Sequence, residues 1–308
     1  MVSERPDSGK HLRQLIDREA YGRLGETKGK AMRRAFITAV VGQMLPEESF
    51  LKGGAAVALR YPLSEVRVSR DIDSVYTGSL DVFIAKFEEN LAIGWEGFTG
   101  TVTRERDTEK TRSVNVCRLT VHLDYLGQRF ASISFEASPD YGRHCASASP
   151  AMDDDTRSLL EGFGFDVRPT PMLDQDAQLA DKLNGLSNLN YYRGKDLVDI
   201  CTIMRHHVPD LTVLREQSDL MPGRPGGHST RRLSDTESRG FRDSYSAAAG
   251  PLVRIRFDDA WSLADRLLVQ VDRVYRDYWL DDPGLLLSYS IPEIREETRR
   301  AAAGRGVV

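Results

Sequence analysis

The chain has 308 residues, 40% of them hydrophobic and 29% charged, with a formal net charge of −4. This is the composition of an ordinary globular protein of roughly two domains, and it excludes a protein that is basic overall, so any nucleic-acid contact must use a local patch. No run approaches the ~18–20 apolar residues that span a bilayer, and the polar start carries no signal-peptide core, so a cytoplasmic protein without membrane contact is expected.

In chain order, residues 8–24 and 28–46 read as helices, the second with an apolar stripe of Met32, Phe36, Ile37, Val40, Val41 and Met44. A short strand is expected at 49–52, a short helix at 54–60, a strand at 71–76 and a helix at 80–93. Strand-like alternation follows at 98–106, 114–125 and 129–137, with Gly127-Gln128 as a hairpin turn. The fold class is therefore α/β, a mixed sheet with helices packed on it, in a core expected to end near residue 145. Residues 146–308 are expected to form a mainly helical lobe, with helices at 174–187, 194–206 and 258–279. Within it 216–250 is rich in Ser, Gly, Pro and Arg and reads as a flexible insert. An excess of Arg there would let such a loop grip RNA phosphates, or leave it a solvated linker. The tail after about 297 is expected to fray. Cys117, Cys145 and Cys201 have no metal-ligand spacing and read as reduced thiols. Lysine is scarce, with eight against 34 arginines, which makes each lysine informative.

The segment from Lys52 to Asp73 carries the most chemistry. Gly53-Gly54 opens an apolar helix, where glycine lets backbone approach a phosphate and the helix N-terminus favours negative charge. Asp71 and Asp73, at i and i+2 on a strand, point to one face. Such a pair suits a hard divalent cation held by carboxylates and substrate phosphates: Mg²⁺, with Mn²⁺ as the alternative. A lone acidic pair of this kind is common; the upstream Gly-Gly helix is what makes it informative. A third carboxylate would come from Glu136 if its strand pairs beside 71–76, with Asp124 as the competitor. Three carboxylates around metal fit phosphoryl or nucleotidyl transfer. Lys182 lies at the edge of the stripe formed by Leu179, Leu183 and Leu186, where it would either reach a triphosphate as a point charge or snorkel at the surface. In Arg193-Gly194-Lys195-Asp196-Leu197-Val198-Asp199, Lys195 and Asp199 fall opposite the apolar stripe with Asp196 at its flank. That arrangement gives either a helical ion pair or a face lining a nucleotide cleft. His206-His207 has no partner at metal spacing.

These pieces, in this order, resemble the AbiEii/MenT family of bacterial toxins within the polymerase-β-like nucleotidyltransferase superfamily. The matching text is Lys52-Gly53-Gly54, Arg67-x-Ser69-x-Asp71-Ile72-Asp73, Asp181-Lys182-Leu183 and Arg193-Gly194-Lys195-Asp196-x-x-Asp199, spanning roughly 45–206. The resemblance implies a nucleotidyltransferase core, a helical second lobe, an NTP substrate and a cognate antitoxin. It implies an RNA acceptor, first of all the 3′ end of tRNA, whose modification would inhibit translation. Catalytic roles then fall on Asp71, Asp73, Glu136, Lys182, Asp196 and Asp199, the last two positioning Lys182 or the nucleotide. Nucleotide contacts fall on Gly53, Gly54, Ser69, Lys182 and Lys195, and metal contacts on Asp71, Asp73 and Glu136. A phosphate on Ser69 would add up to two negative charges beside the acidic pair and block the site. Transfer to a small molecule or a protein, or a non-catalytic nucleotide-binding role, are the alternatives.

Overall fold

The computed structural model describes residues 5–105, 116–140, 148–187, 192–219, 235–249 and 255–273. The chain forms two compact units, residues 1–173 and 174–308.

The first unit opens with helix α1, Gly9–Gln43, capped by the Ser8 hydroxyl, which accepts from the His11 amide. It is one helix where the sequence predicts two. The glycines near its middle weaken a helix by about 1 kcal/mol each, and no proline there breaks it. Its end falls short of the expected 46 because Pro46 disfavours helix in the residue before it. Strand β1 (Ser49–Lys52) runs straight into helix α2 (Gly53–Arg60). There follow β2 (Ile72–Tyr76), α3 (Leu80–Ile93), β3 (Phe98–Arg104), β4 (Cys117–Tyr125) and β5 (Gln128–Pro139). The unit closes with β6 (Ala148–Ala151), α4 (Asp154–Gly162) and β7 (Thr170–Leu173). The strands form one seven-stranded mixed sheet in the order β3-β4-β5-β2-β1-β7-β6.

Two differences from the sequence reading matter here. The β4–β5 hairpin turns on Leu126-Gly127, both at positive φ (49° and 74°), one residue earlier than expected; a two-residue loop needs that backbone to match the strand twist. The first unit extends to 173 and not 145, because β7 pairs in parallel with β1, Leu51 opposite Met172, and so belongs to the sheet. Residues 148–173 carry too short an alternation to be read as strands in advance.

The period-2 pattern gives the central strands two unlike faces. Leu119, Val121, Ile133, Phe135 and Ile72 face the core, where Phe83 and Phe87 of α3 pack on Phe135 with ring centroids 5.9 and 5.0 Å away. Burying each such ring contributes about 1.5–3 kcal/mol. The opposite face carries Lys52, Asp73, Arg118 and Glu136.

The second unit is helical among the described residues: α5 (Gln175–Ser187), α6 (Gly194–His206), α7 (Leu211–Asp219), α8 (Asp235–Ala249) and α9 (Phe257–Arg273). Helix α6 is buried on nearly every side from Asp196 to Met204. His207 after it bonds Asp176 at the start of α5 (2.7 Å), a structural staple. The expected flexible insert is corrected in part: 235–249 is helix, because Phe241, Tyr245 and Ala249 recur every four residues and bury one stripe. Residues 220–234 and the tail lie outside the described residues. Cys117 and Cys201 are buried thiols outside any disulfide, burial pushing the Cys201 thiol up to about 12; Cys145 lies outside the described residues. Among the described residues no helix is long and apolar enough to cross a membrane.

Candidate active site

The passage from β1 to α2 is made without a loop. Lys52 is extended (φ −138°) and Gly53 switches to φ +66°, a left-handed backbone that side chains other than glycine rarely adopt. A Cβ on Gly53 would collide with Oδ2 of Asp73. A Cβ on Gly54 would run into the Arg67 guanidinium and sit 3.0 Å from Oγ of Ser69. Both glycines are therefore needed for close approach, Gly53 to an acid and Gly54 to a buried arginine and serine. Lys52 offers no side-chain cap to the first turn of α2. The turn joins backbone N–H groups, a cation and a carboxylate in one place.

Asp71 is exposed and Asp73 half-buried at the start of β2. Ser69 is buried and its hydroxyl donates to the Asp71 carbonyl (3.0 Å), anchoring the strand's entry. Sheet register then sets the neighbours. Asp73 pairs with Lys52 on the antiparallel side and with Glu136 on the parallel side, and Glu136 pairs in turn with Arg118. Four strands thus carry a row of Lys52, Asp73, Glu136 and Arg118 across the polar face. Arg118 Nε donates to Glu136 Oε1 at 2.7 Å, and Lys52 Nζ donates to Ser138 Oγ at 2.8 Å.

Of the two candidates for a third carboxylate, Glu136 is the one placed beside Asp73. Asp124 lies at the far end of the β4–β5 hairpin, bonded to Arg129 at 2.8 Å. The expected cluster of three carboxylates is nonetheless not assembled. Among the described residues no group of three His, Cys, Asp or Glu side chains stands close enough to hold a metal. The physical reason is pairing: Glu136 is drawn to Arg118, and Asp73 turns toward Gly53. What remains on the strand is the pair Asp71 and Asp73, and two hard oxygen donors completed by substrate phosphates fit a divalent cation such as Mg²⁺. Arg34 of α1, which the sequence analysis did not single out, is partly buried and lies in the field of Asp71. Burial pulls its guanidinium below its ordinary value and the charge of Asp71 works against that shift.

The second unit holds a different kind of cluster. Lys182 of α5 places Nζ 3.1 Å from Oδ1 of Asp196 and 2.7 Å from Oδ2 of Asp199, both on α6. Arg193 Nε lies 2.5 Å from the other oxygen of Asp196. Both aspartates are buried and the Lys182 side chain is 7% exposed. A Cβ on Gly185 would come 2.5 Å from Asp196 Oδ2, so glycine there makes room for the pair. Helical periodicity sets Asp199 with Lys195 opposite the apolar stripe, while the role expected of Asp196 and Asp199 is to position Lys182 or the nucleotide. The structure turns Asp199 inward to Lys182 and leaves Lys195 exposed, because α6 lies inside the helical unit and a buried carboxylate requires a cation.

Sequence reasoning missed Arg34 and Arg118, and quoted Arg67 and Arg193 in the matching motifs without giving either a role. Alternation in β4 marks Arg118 as outward-facing, but only register shows that it meets Glu136.

A sequence profile described as "Nucleotidyl transferase AbiEii toxin, Type IV TA system" matches residues 40–266. The chain belongs to the AbiEii family of nucleotidyltransferase toxins. The match covers the Gly-Gly turn, the acidic strand and the Lys182 cluster alike. No curated protein sequence matches this AbiEii chain. Among solved structures it is similar to MenT4, nucleotidyltransferase toxin Rv2826c from Mycobacterium tuberculosis H37Rv. That likeness has 18% identity and a TM-score of 0.48, over 95% of this chain and 98% of the other.

Proposed function

We propose that this AbiEii toxin transfers a nucleoside monophosphate from an NTP to an RNA 3′ end, with tRNA as the acceptor, and thereby inhibits translation until a cognate antitoxin restrains it. The observation that carries the reading is the Gly53 turn lying against Asp73. It sets phosphate-binding backbone and a metal-type carboxylate side by side, as transfer from a triphosphate requires.

The amides at Gly53 and Gly54 bind phosphate oxygens. Asp71 and Asp73 hold the divalent cation, Mg²⁺ or Mn²⁺, which when bound neutralises charge on the phosphates. Glu136, kept in place by Arg118, accepts the proton of the acceptor's hydroxyl. That oxygen forms a bond to the α-phosphorus as the bond to the β-phosphate oxygen breaks, and pyrophosphate leaves. In the helical unit Asp196 and Asp199 hold the Lys182 ammonium in position, so that Lys182 shapes this unit from within, and Lys195 meets nucleotide or RNA phosphate from the surface.

The deciding experiment incubates the protein with total tRNA and each labelled NTP in turn. Extension at the RNA 3′ end, dependent on a divalent cation and absent in Asp71→Ala, is expected. Label that transfers without RNA would move the acceptor to a small molecule or a protein.

A further inference from the structure

Among the described residues the exposed large hydrophobic side chains are Val82, Ile93, Leu126 and Tyr192, and Tyr192 alone is aromatic. The residue is 44% exposed, yet it is held in place. A Cβ on Gly240 of α8 would lie 2.5 and 2.6 Å from Cζ and Cδ2 of the ring and closer still to Cε2. Near-equal distances to three consecutive ring atoms mean that Gly240 sits over the ring's face and not at its rim. One face of Tyr192 therefore rests on a glycine backbone, while the residue as a whole stays 44% exposed. Phe241 braces the ring at 72° with centroids 5.4 Å apart. One turn along α8, Ser244 Oγ donates to the Tyr192 carbonyl (2.6 Å) and accepts from the Gly194 amide (3.0 Å). The tyrosine is thus clamped at two points one helical turn apart.

A basic residue follows the tyrosine and another precedes the glycine beneath it. Arg193 keeps 42% of its side chain exposed while its Nε serves Asp196. Lys195 and Arg239, which precedes Gly240, are exposed, and the acids among the described side chains of α8 are Glu237, half-buried, and Asp243, exposed. A rigid aromatic face beside cations is the arrangement that holds single-stranded nucleic acid, bases stacking on rings while phosphates meet the charges.

We infer that Tyr192 is a stacking platform for a nucleobase of single-stranded RNA, with Arg193, Lys195 and Arg239 holding the flanking phosphates. This rests on the RNA-acceptor reading above and names the element of the helical unit that grips the strand. A base of the NTP shares the same chemistry and is separated from the acceptor base by the test.

The full chain and its Tyr192→Phe, Tyr192→Leu and Tyr192→Ala variants are titrated by fluorescence anisotropy with a short labelled single-stranded RNA and with its abasic analogue. NTP binding is measured in parallel, and thermal unfolding checks each fold. Phe should bind RNA like the parent, whereas Leu and Ala should weaken it by about tenfold. The Ala variant should bind abasic RNA as the parent does. Unchanged RNA affinity in Ala, an equal loss with abasic RNA, or full retention by Leu, as an apolar protein-docking patch would give, each overturns the platform. A loss confined to NTP overturns its assignment to the acceptor strand. Base-dependent RNA binding in a parent that transfers nothing to RNA would overturn the proposed activity and leave the platform standing.

Discussion

The Gly53–Asp73 turn and the Lys182 cluster carry the same ingredients, carboxylates and cations, in opposite states. The first lies on the sheet's polar face, with Asp71 exposed and its shape set by backbone: a positive φ and glycines that admit an acid, an arginine and a serine. The second is closed, with Lys182 spanning two buried aspartates and Arg193 taking the remaining oxygen of one. Charge that is exposed can change partners when substrate and cation arrive. Charge that is buried must be matched within the fold, because an unpaired buried ion costs several kcal/mol. The two regions should therefore fail differently when altered, the turn in activity and the cluster in stability as well.

The widest separation is expected from Asp71→Ala. Transfer of labelled NTP should fall by at least about a hundredfold. Unfolding free energy should stay within about 0.5 kcal/mol, since the residue is exposed. Loss of fold along with activity would erase the contrast. Next comes Lys182→Ala, which removes the cation shared by two buried carboxylates and leaves Asp196 with Arg193. Urea unfolding should register a loss of about 3–5 kcal/mol, and a variant as stable as the parent would show that the cluster is not closed. Gly53→Ala should cost about 1–2 kcal/mol for the left-handed backbone, with a further loss from the collision with Asp73, and should raise KM for NTP. A neutral outcome in calorimetry would mean that the turn is not held by backbone. The smallest effect belongs to Arg118→Ala. Its pair with Glu136 is half-exposed, so stability should move by less than about 1 kcal/mol. Activity should drop several-fold if Arg118 positions Glu136, and a kcat equal to the parent's would show that Arg118 does not position it.

The Gly-Gly helix start and the acidic strand were readable in advance because each is local. A glycine pair before an apolar run and two acids at strand spacing need no distant partner to be recognised. Glu136 was readable as an outward-facing strand residue, and the choice over Asp124 followed once β5 was found beside β2. Arg118 was not readable, because opposition across strands depends on register and no local pattern in β4 states it. The inward turn of Asp199 was hidden for a related reason. A helix buried on all sides has no outer face, and helical periodicity alone places a polar residue outside.

Local sequence alone determined the kinds of element and the chemical types at the site: strands from period-2 alternation, helices from apolar stripes, and glycine where backbone approaches a charge. These follow from sterics and hydrophobic pattern within a few residues. Tertiary structure decided which charges meet. Glu136 met Arg118 and did not join Asp71 and Asp73; Lys182 met Asp196 and Asp199; and the β1–β7 pairing carried the first unit to residue 173. The reason is that ion pairing and strand register are contacts between segments far apart in the chain, and their energies are set by burial and distance that no single segment contains.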